Sequence, residues 1–177
     1  MNNIWKILLG VALVAILAFQ QLEIATLHED VQDIKAYIIK TNTTLHYTKA
    51  DEECLAKNIY HEAGVEPRLG KFAVAQVTLN RLKEGRWGKN ICSVVYAKSQ
   101  FSWTLYKKKR HETPRGPLWE QSKDVAHAVL AKGYRVSGLE QSTYYHAEYI
   151  REPMWARSVV KIQQIGQHVF YKKPVPV

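Results

Sequence analysis

The chain has 177 residues and carries 25 basic against 16 acidic side chains, a formal charge of +9. That length accommodates one ordinary domain plus a short appendage. At 46% hydrophobic and 23% charged, with nine Gly and six Pro, the composition excludes collagen-like, low-complexity and wholly disordered chains, and two Cys exclude a disulfide-dense mini-protein or a four-Cys zinc module.

The appendage comes first. Ile7 to Phe19 holds no polar side chain, and extending to Ile4 and Leu22 adds only Lys6, Gln20 and Gln21. This approaches the roughly 20 residues needed to cross a bilayer core. A cleaved signal peptide has a similar apolar stretch, but no small-x-small pair marks a cleavage point at Ala18 or Ala25, so residues 1–22 read as a transmembrane signal-anchor. Lys6 precedes the segment, whereas Glu23, Glu29, Asp30 and Asp33 follow it. The positive-inside bias then keeps the N-terminus cytoplasmic and exports the remainder. In an oxidising exterior Cys54 and Cys92 could form a disulfide; two buried free thiols are the alternative.

Leu27, Val31, Ile34 and Ile38 recur at helical steps, so residues 23–47 read as a helical stalk that ends in the linker Thr41-Asn42-Thr43-Thr44. The folded domain is then 48–177. Residues 1–48 carry three lysines against four acids, which leaves +10 on the remainder (+9 less −1). That field favours anionic envelope polymers. Nucleic acid is not expected, because no nucleic-acid-reading motif is present. The dense run Lys107 to Arg110 reads as a solvated loop.

Thr48 and Asp51 have capping-box spacing ahead of a helix through Leu55, Ile59 and Glu62. Pro67 opens a second helix, apolar nearly all round through Phe72, Val74, Val77 and Leu79, which is therefore central. Ile91 to Ala97 reads as a short helix and Gln100 to Trp103 has no clear period. Thr113 to Pro117 is a turn, and Trp119 to Lys132 is a helix stopped by Gly133. Thr143 to Ile150, Ser158 to Ile162 and His168 to Tyr171 read as strands. Helices first and strands later give an α+β domain, mainly helical with a small antiparallel sheet near the C-terminus.

Several chemistries are excluded. His61-Glu62 begins like a zinc-protease helix, but Val65 stands where the second His is needed. The seven His are never three to five residues apart, so no metal or other cofactor is expected. No GxSxG elbow or phosphate-cradling glycine loop occurs. Glu62 remains: set against the apolar stripe of its helix, it would lose solvation of its charged form, hold a proton near neutral pH and serve as a general acid. A Glu that caps or pairs near a helix end is the competing reading.

Cys54-Leu55-Ala56, Asn58-Ile59-Tyr60-His61-Glu62-Ala63, Glu66-Pro67, Gly70, Ala73-Val74-Ala75-Gln76-Val77, Leu79-Asn80-Arg81, Val94-Val95-Tyr96 and Gln100-Phe101-Ser102-Trp103 resemble the cell wall hydrolase family typified by spore cortex-lytic enzymes. Tyr145-His146-Ala147, Pro153-Met154-Trp155-Ala156 and Ile165 to Tyr171 continue the likeness. The resemblance implies a lysozyme-like fold related to lytic transglycosylases. It also implies cleavage of peptidoglycan between N-acetylmuramic acid and N-acetylglucosamine, with Glu62 as acid and then base.

A lytic route, closing the muramic 6-hydroxyl into a 1,6-anhydro product, needs no second carboxylate. A hydrolytic route ordinarily uses two, for which Glu66, Glu140 and Glu148 are the candidates. Gln100, Phe101, Ser102, Trp103, Tyr144, His146 and Trp155 are candidates to line the sugar groove. The chain departs from the family pattern at Gly64-Val65, where Arg-Gly is expected. A membrane anchor stands in place of a cortex-binding repeat domain, so the resemblance does not imply a role in spore germination. The expected setting is a monomer tethered to the membrane, acting in wall remodelling or phage lysis; a non-catalytic basic module that only holds wall polymer is the rival reading.

Overall fold

A computed structural model of the chain describes residues 2–41 and 45–174. It divides into two units at Tyr37 and Ile38. The first is a single helix, α1 (Asn2–Tyr37). The sequence has no proline before Pro67, so nothing interrupts the helix between the expected anchor and stalk. Its window Leu8–Ala25 is long and apolar enough to span a membrane, and its large apolar side chains from Leu8 to Leu22 are exposed. The side chains of Leu27 and Ile34, and the linker positions Asn42 to Thr44, lie outside the described residues.

The second unit starts at β1 (Ile38–Lys40), ten residues before the expected boundary at Thr48. β1 pairs antiparallel with β2 (Tyr134–Val136), with Ile38 opposite Val136 and Lys40 opposite Tyr134. The positive φ of Gly133 lets Thr41 approach, and Thr41 N–H and Oγ1 both donate to the Gly133 carbonyl. A side chain at 133 would strike that backbone. The sequence hid this sheet because two three-residue strands separated by 93 residues leave no periodic signal.

The capping box at Thr48 forms as expected and opens α2 (Lys49–Ala63), with Asp51 Oδ2 accepting from Thr48 N–H at 3.2 Å and Oγ1 at 2.8 Å. The other Asp51 oxygen accepts from Cys92 N–H at 3.1 Å, which ties α2 to α4 (Ile91–Val95). Cys54 and Cys92 join the same two helices through a disulfide. Helix α3 (Arg68–Glu84) is central: Gly70 to Leu79 are buried without a break. Its buried polar residues knit it to what surrounds it. Gln76 Oε1 accepts from Val136 N–H on β2, and the Asn80 amide donates to the Leu139 and Ser142 carbonyls at 2.7 Å each.

The basic run expected as a loop is instead a short exposed helix, α5 (Lys107–His111), and α6 (Pro117–Ala131) completes the helical layer. β3 (Ser142–Ala147), β4 (Val160–Ile165) and β5 (His168–Lys172) form an antiparallel sheet in the order β3-β5-β4. One sheet face, with Tyr145, Phe170 and Ile165, joins the main core of α2, α3 and α6. The other packs Val169 and Tyr171 on Tyr144, Ala156 and Val159 as a satellite cluster.

Glu66, buried between α2 and α3, accepts from Gln167 N–H at 2.9 Å in the β4–β5 turn. That contact sets the sheet against the helices.

Candidate active site

Helix α2 places Glu62 on its last full turn, one residue before its end, with the carboxyl partly exposed. Tyr145 Oη donates to Glu62 Oε2 at 2.9 Å. Among the described residues Oε1 has no hydrogen-bond partner. The Tyr145 ring is fixed by edge contact with His168 at 5.1 Å and a tilted contact with Phe170 at 5.7 Å. Arg81, buried on α3, lies close enough to interact with both Glu62 and Tyr145. Its Nε donates to the Thr143 carbonyl at 2.9 Å and its guanidinium lies 4.9 Å from the Phe101 ring. Arg81 thus holds the start of β3, and with it Tyr145, against α3.

Burial pushes the Glu62 carboxyl above the usual glutamate range, outweighing the opposing Tyr145 hydrogen bond and the charges of Arg81 and Lys109. Tyr145 is raised well above an ordinary phenol, first by burial and then by Glu62, so it stays a donor. His61 is pushed down by burial and by Lys109 and Lys57, which keeps its imidazole neutral at pH 7. The result is a carboxyl predisposed to keep a proton, open on one oxygen and oriented on the other.

His61 stacks on Trp103 at 4.4 Å, so the Gln100 to Trp103 segment packs against α2 one residue from Glu62. Within it, roles differ from those expected. Trp103 is 2% exposed and its indole N–H donates to Asn58 Oδ1 at 2.9 Å; the Asn58 amide donates in turn to Thr78 Oγ1 at 3.1 Å. Phe101 is also 2% exposed, beneath Arg81. Neither ring offers a face for a sugar to stack on, because packing on α2 and α3 already uses them. Gln100 is partly exposed and Ser102 exposed.

Tyr144, His146 and Trp155 are not brought to Glu62. Side chains alternate along a strand, so the face that carries Tyr145 cannot carry its neighbours. Tyr144 and His146 pack on Trp155 at 5.6 and 6.0 Å, and His146 Nε2 lies 2.9 Å from Tyr171 Oη, all in the satellite cluster. Glu66 is buried in its tie to Gln167, while Glu140 and Glu148 are exposed.

The sequence reading missed Tyr145, Arg81 and His61. Arg81 had a signal: a charged residue two positions after Leu79, at the end of the buried run of a central helix, needs a partner inside the fold. Tyr145 lies between two of the expected groove residues, Tyr144 and His146.

A mainly helical domain with a small antiparallel sheet thus presents one partly buried carboxyl held by a tyrosine. Residues 65–171 match the cell wall hydrolase family model, and the chain belongs to that family. It is similar to a spore cortex-lytic enzyme of Halalkalibacterium halodurans, 32% identical over 145 residues, covering 80% of this chain and 41% of the relative. A spore cortex-lytic enzyme of Oceanobacillus iheyensis is 30% identical over 134 residues, covering 74% and 45%. The chain therefore spans less than half the length of these curated relatives.

Among solved structures, the catalytic domain of the germination-specific lytic transglycosylase SleB from Bacillus anthracis aligns with a TM-score of 0.61 at 25% identity, covering 73% of this chain and all of that one (100%). The catalytic domain of the Bacillus cereus SleB protein aligns at 0.62 and 25% identity, covering 76% and 98%. The fold expected from the sequence is therefore the fold observed. The family match starts after Glu62, so the case for that residue rests on its geometry.

Proposed function

We propose that this protein cleaves peptidoglycan glycan strands between N-acetylmuramic acid and N-acetylglucosamine, with Glu62 as the single acid and base. The observation that carries the reading is the Glu62 carboxyl: raised by burial, oriented by Tyr145 and left open at Oε1. Glu62 gives its proton to the glycosidic oxygen as the C1–O bond breaks. The resulting carboxylate takes the proton of the muramic 6-hydroxyl, whose oxygen closes on C1. The product is a 1,6-anhydro sugar, Glu62 is protonated again, and no water is consumed.

Hydrolysis would ordinarily need a second carboxylate. The commitment of Glu66 to Gln167 and the exposure of Glu140 and Glu148 favour the lytic route. Family membership and likeness to a lytic transglycosylase catalytic domain support the same choice. The apolar span Leu8–Ala25 would tether the enzyme to the membrane with its domain outside. In that setting it would trim the wall or serve a phage lysis programme.

The test uses the full chain in detergent on purified murein, wild type against Glu62→Gln, with turbidity and product mass as readouts. Wild type should clear the suspension and release ends one water lighter than reducing ends. Equal clearing by both proteins would remove Glu62 from the chemistry, and binding without new sugar ends would favour a non-catalytic wall-binding module.

A further inference from the structure

Every side chain of α5, Lys107 to His111, is exposed, and four of its five residues are Lys or Arg. Like charges this close on a helix repel one another. Glu112 reaches Lys108 at 3.8 Å, but Lys107, Lys109 and Arg110 have no carboxylate within 4 Å among the described residues. Nothing inside the fold accounts for so concentrated a charge.

Its position does. A chain of ring contacts leads from the candidate acid to this helix: His61, next to Glu62, stacks on Trp103 at 4.4 Å, Trp103 meets Tyr96 at 5.7 Å, and Arg110 lies over Tyr96 at 5.3 Å. Lys109 Nζ lies 5.2 Å from the Tyr106 ring. It is also near enough to Glu62 and His61 to act on both. Leading into α5, Leu105 and Tyr106 are 73% and 61% exposed, an apolar ledge beside the cations.

We infer that α5 with the Leu105-Tyr106 ledge is a subsite for the carboxylates and methyl groups of the stem peptide borne by muramic acid, so that the preferred substrate is peptide-bearing glycan. This rests on the cleavage reading above. The lactyl arm that carries the peptide branches from the same sugar whose C1 bond breaks, which brings the peptide's carboxylates to the rim of the site. Phosphate polymers are the other anions of a wall. Where they are linked through the muramic 6-oxygen they remove the hydroxyl that the lytic step needs, so carboxylate is the ligand compatible with turnover.

The test compares peptide-bearing glycan strands with strands stripped of peptide by an amidase. Binding of the full-length Glu62→Gln chain is measured by co-sedimentation, and cleavage by the otherwise native chain is measured alongside. Binding to peptide-bearing strands should be about tenfold tighter than to bare ones, as three exposed ion pairs together would give. Added salt, blocking the peptide carboxylates as amides, or the triple change Lys107→Gln, Lys109→Gln, Arg110→Gln should each abolish that ratio.

The control Lys49→Gln, Lys132→Gln, Lys161→Gln removes the same charge from exposed positions elsewhere and should keep it. A ratio near one in the parent, or a ratio that both triple variants lose alike, overturns the subsite. So does a preference that disappears only when wall phosphate polymers are stripped. Failure of the parent chain to cleave either strand would instead sink the function itself, while the binding ratio would still report on α5.

Discussion

Tyr144 and Tyr145 are neighbours on β3, yet they belong to different parts of the molecule. Tyr145 turns toward the helical core, donates to Glu62 and is held by His168 and Phe170. Tyr144 turns to the far face, where it packs on Trp155 and accepts a hydrogen bond from Arg86 at 2.8 Å. One face of the sheet orients a carboxyl, and the other covers a small satellite core. A cluster of aromatic residues therefore does not by itself mark a sugar groove: strand parity decides which rings reach the acid.

The largest difference between the two faces is expected at Glu62. Glu62→Gln should lower cleavage about 10³-fold, the scale of a lost general acid, as measured by release of new sugar ends. The same variant should be the more stable protein near neutral pH. Burial raises the folded-state pKa above that of the unfolded chain, so native Glu62 loses stability as pH rises from the ordinary glutamate range to its raised value. The melting-temperature gap between variant and native protein should widen across that window and stay flat above it.

Tyr145→Phe comes next, at about tenfold in rate for one hydrogen bond to a carboxylate. That bond lowers the Glu62 pKa, so its loss should move the alkaline fall in activity to higher pH. Tyr144→Phe should change neither rate nor pH profile by more than about twofold. An equal loss at both tyrosines would erase the distinction between the faces.

Stability effects are smaller in rate but separate the same two regions. Asn58→Ala leaves the Trp103 indole N–H without a partner in the core and removes the donor to Thr78 Oγ1, which keeps only its own bond to the Val74 carbonyl, and should cost about 2–3 kcal/mol in denaturant unfolding. Trp155→Ala, at a ring 36% exposed, should cost about 1 kcal/mol while leaving activity per folded molecule intact.

A cost as small is expected at the far end of α2, with Asp51→Asn losing about 1 kcal/mol at neutral pH. Burial alone would raise Asp51, but bonds from Cys92 and Thr48 hold it below its ordinary value. Its contribution is therefore present above the ordinary aspartate pKa and is lost as pH falls through the lowered one. The melting-temperature gap to Asp51→Asn should close in acid.

The helices and the C-terminal strands were legible because their signals are local. Thr48 and Asp51 state a cap, Pro67 a start, and the unbroken apolar run to Leu79 a buried axis. β1 and β2 were not legible, since their pairing depends on Gly133 admitting Thr41 from far along the chain. At the site, an acid against an apolar stripe could be read directly. Its partners could not: Tyr145 is selected by strand parity, and Trp103 is claimed for the core by Asn58, a contact between helix and turn that spacing does not encode.

Gly166 sits at the tip of the β4–β5 hairpin, and a methyl group there would collide with the Glu66 carboxyl. The two positions are therefore a single design unit. With φ at +56° the backbone at 166 also disfavours any side chain, and shortening Glu66 to make room would remove the acceptor of Gln167 N–H, so glycine at the hairpin tip and the long carboxylate at 66 are held together.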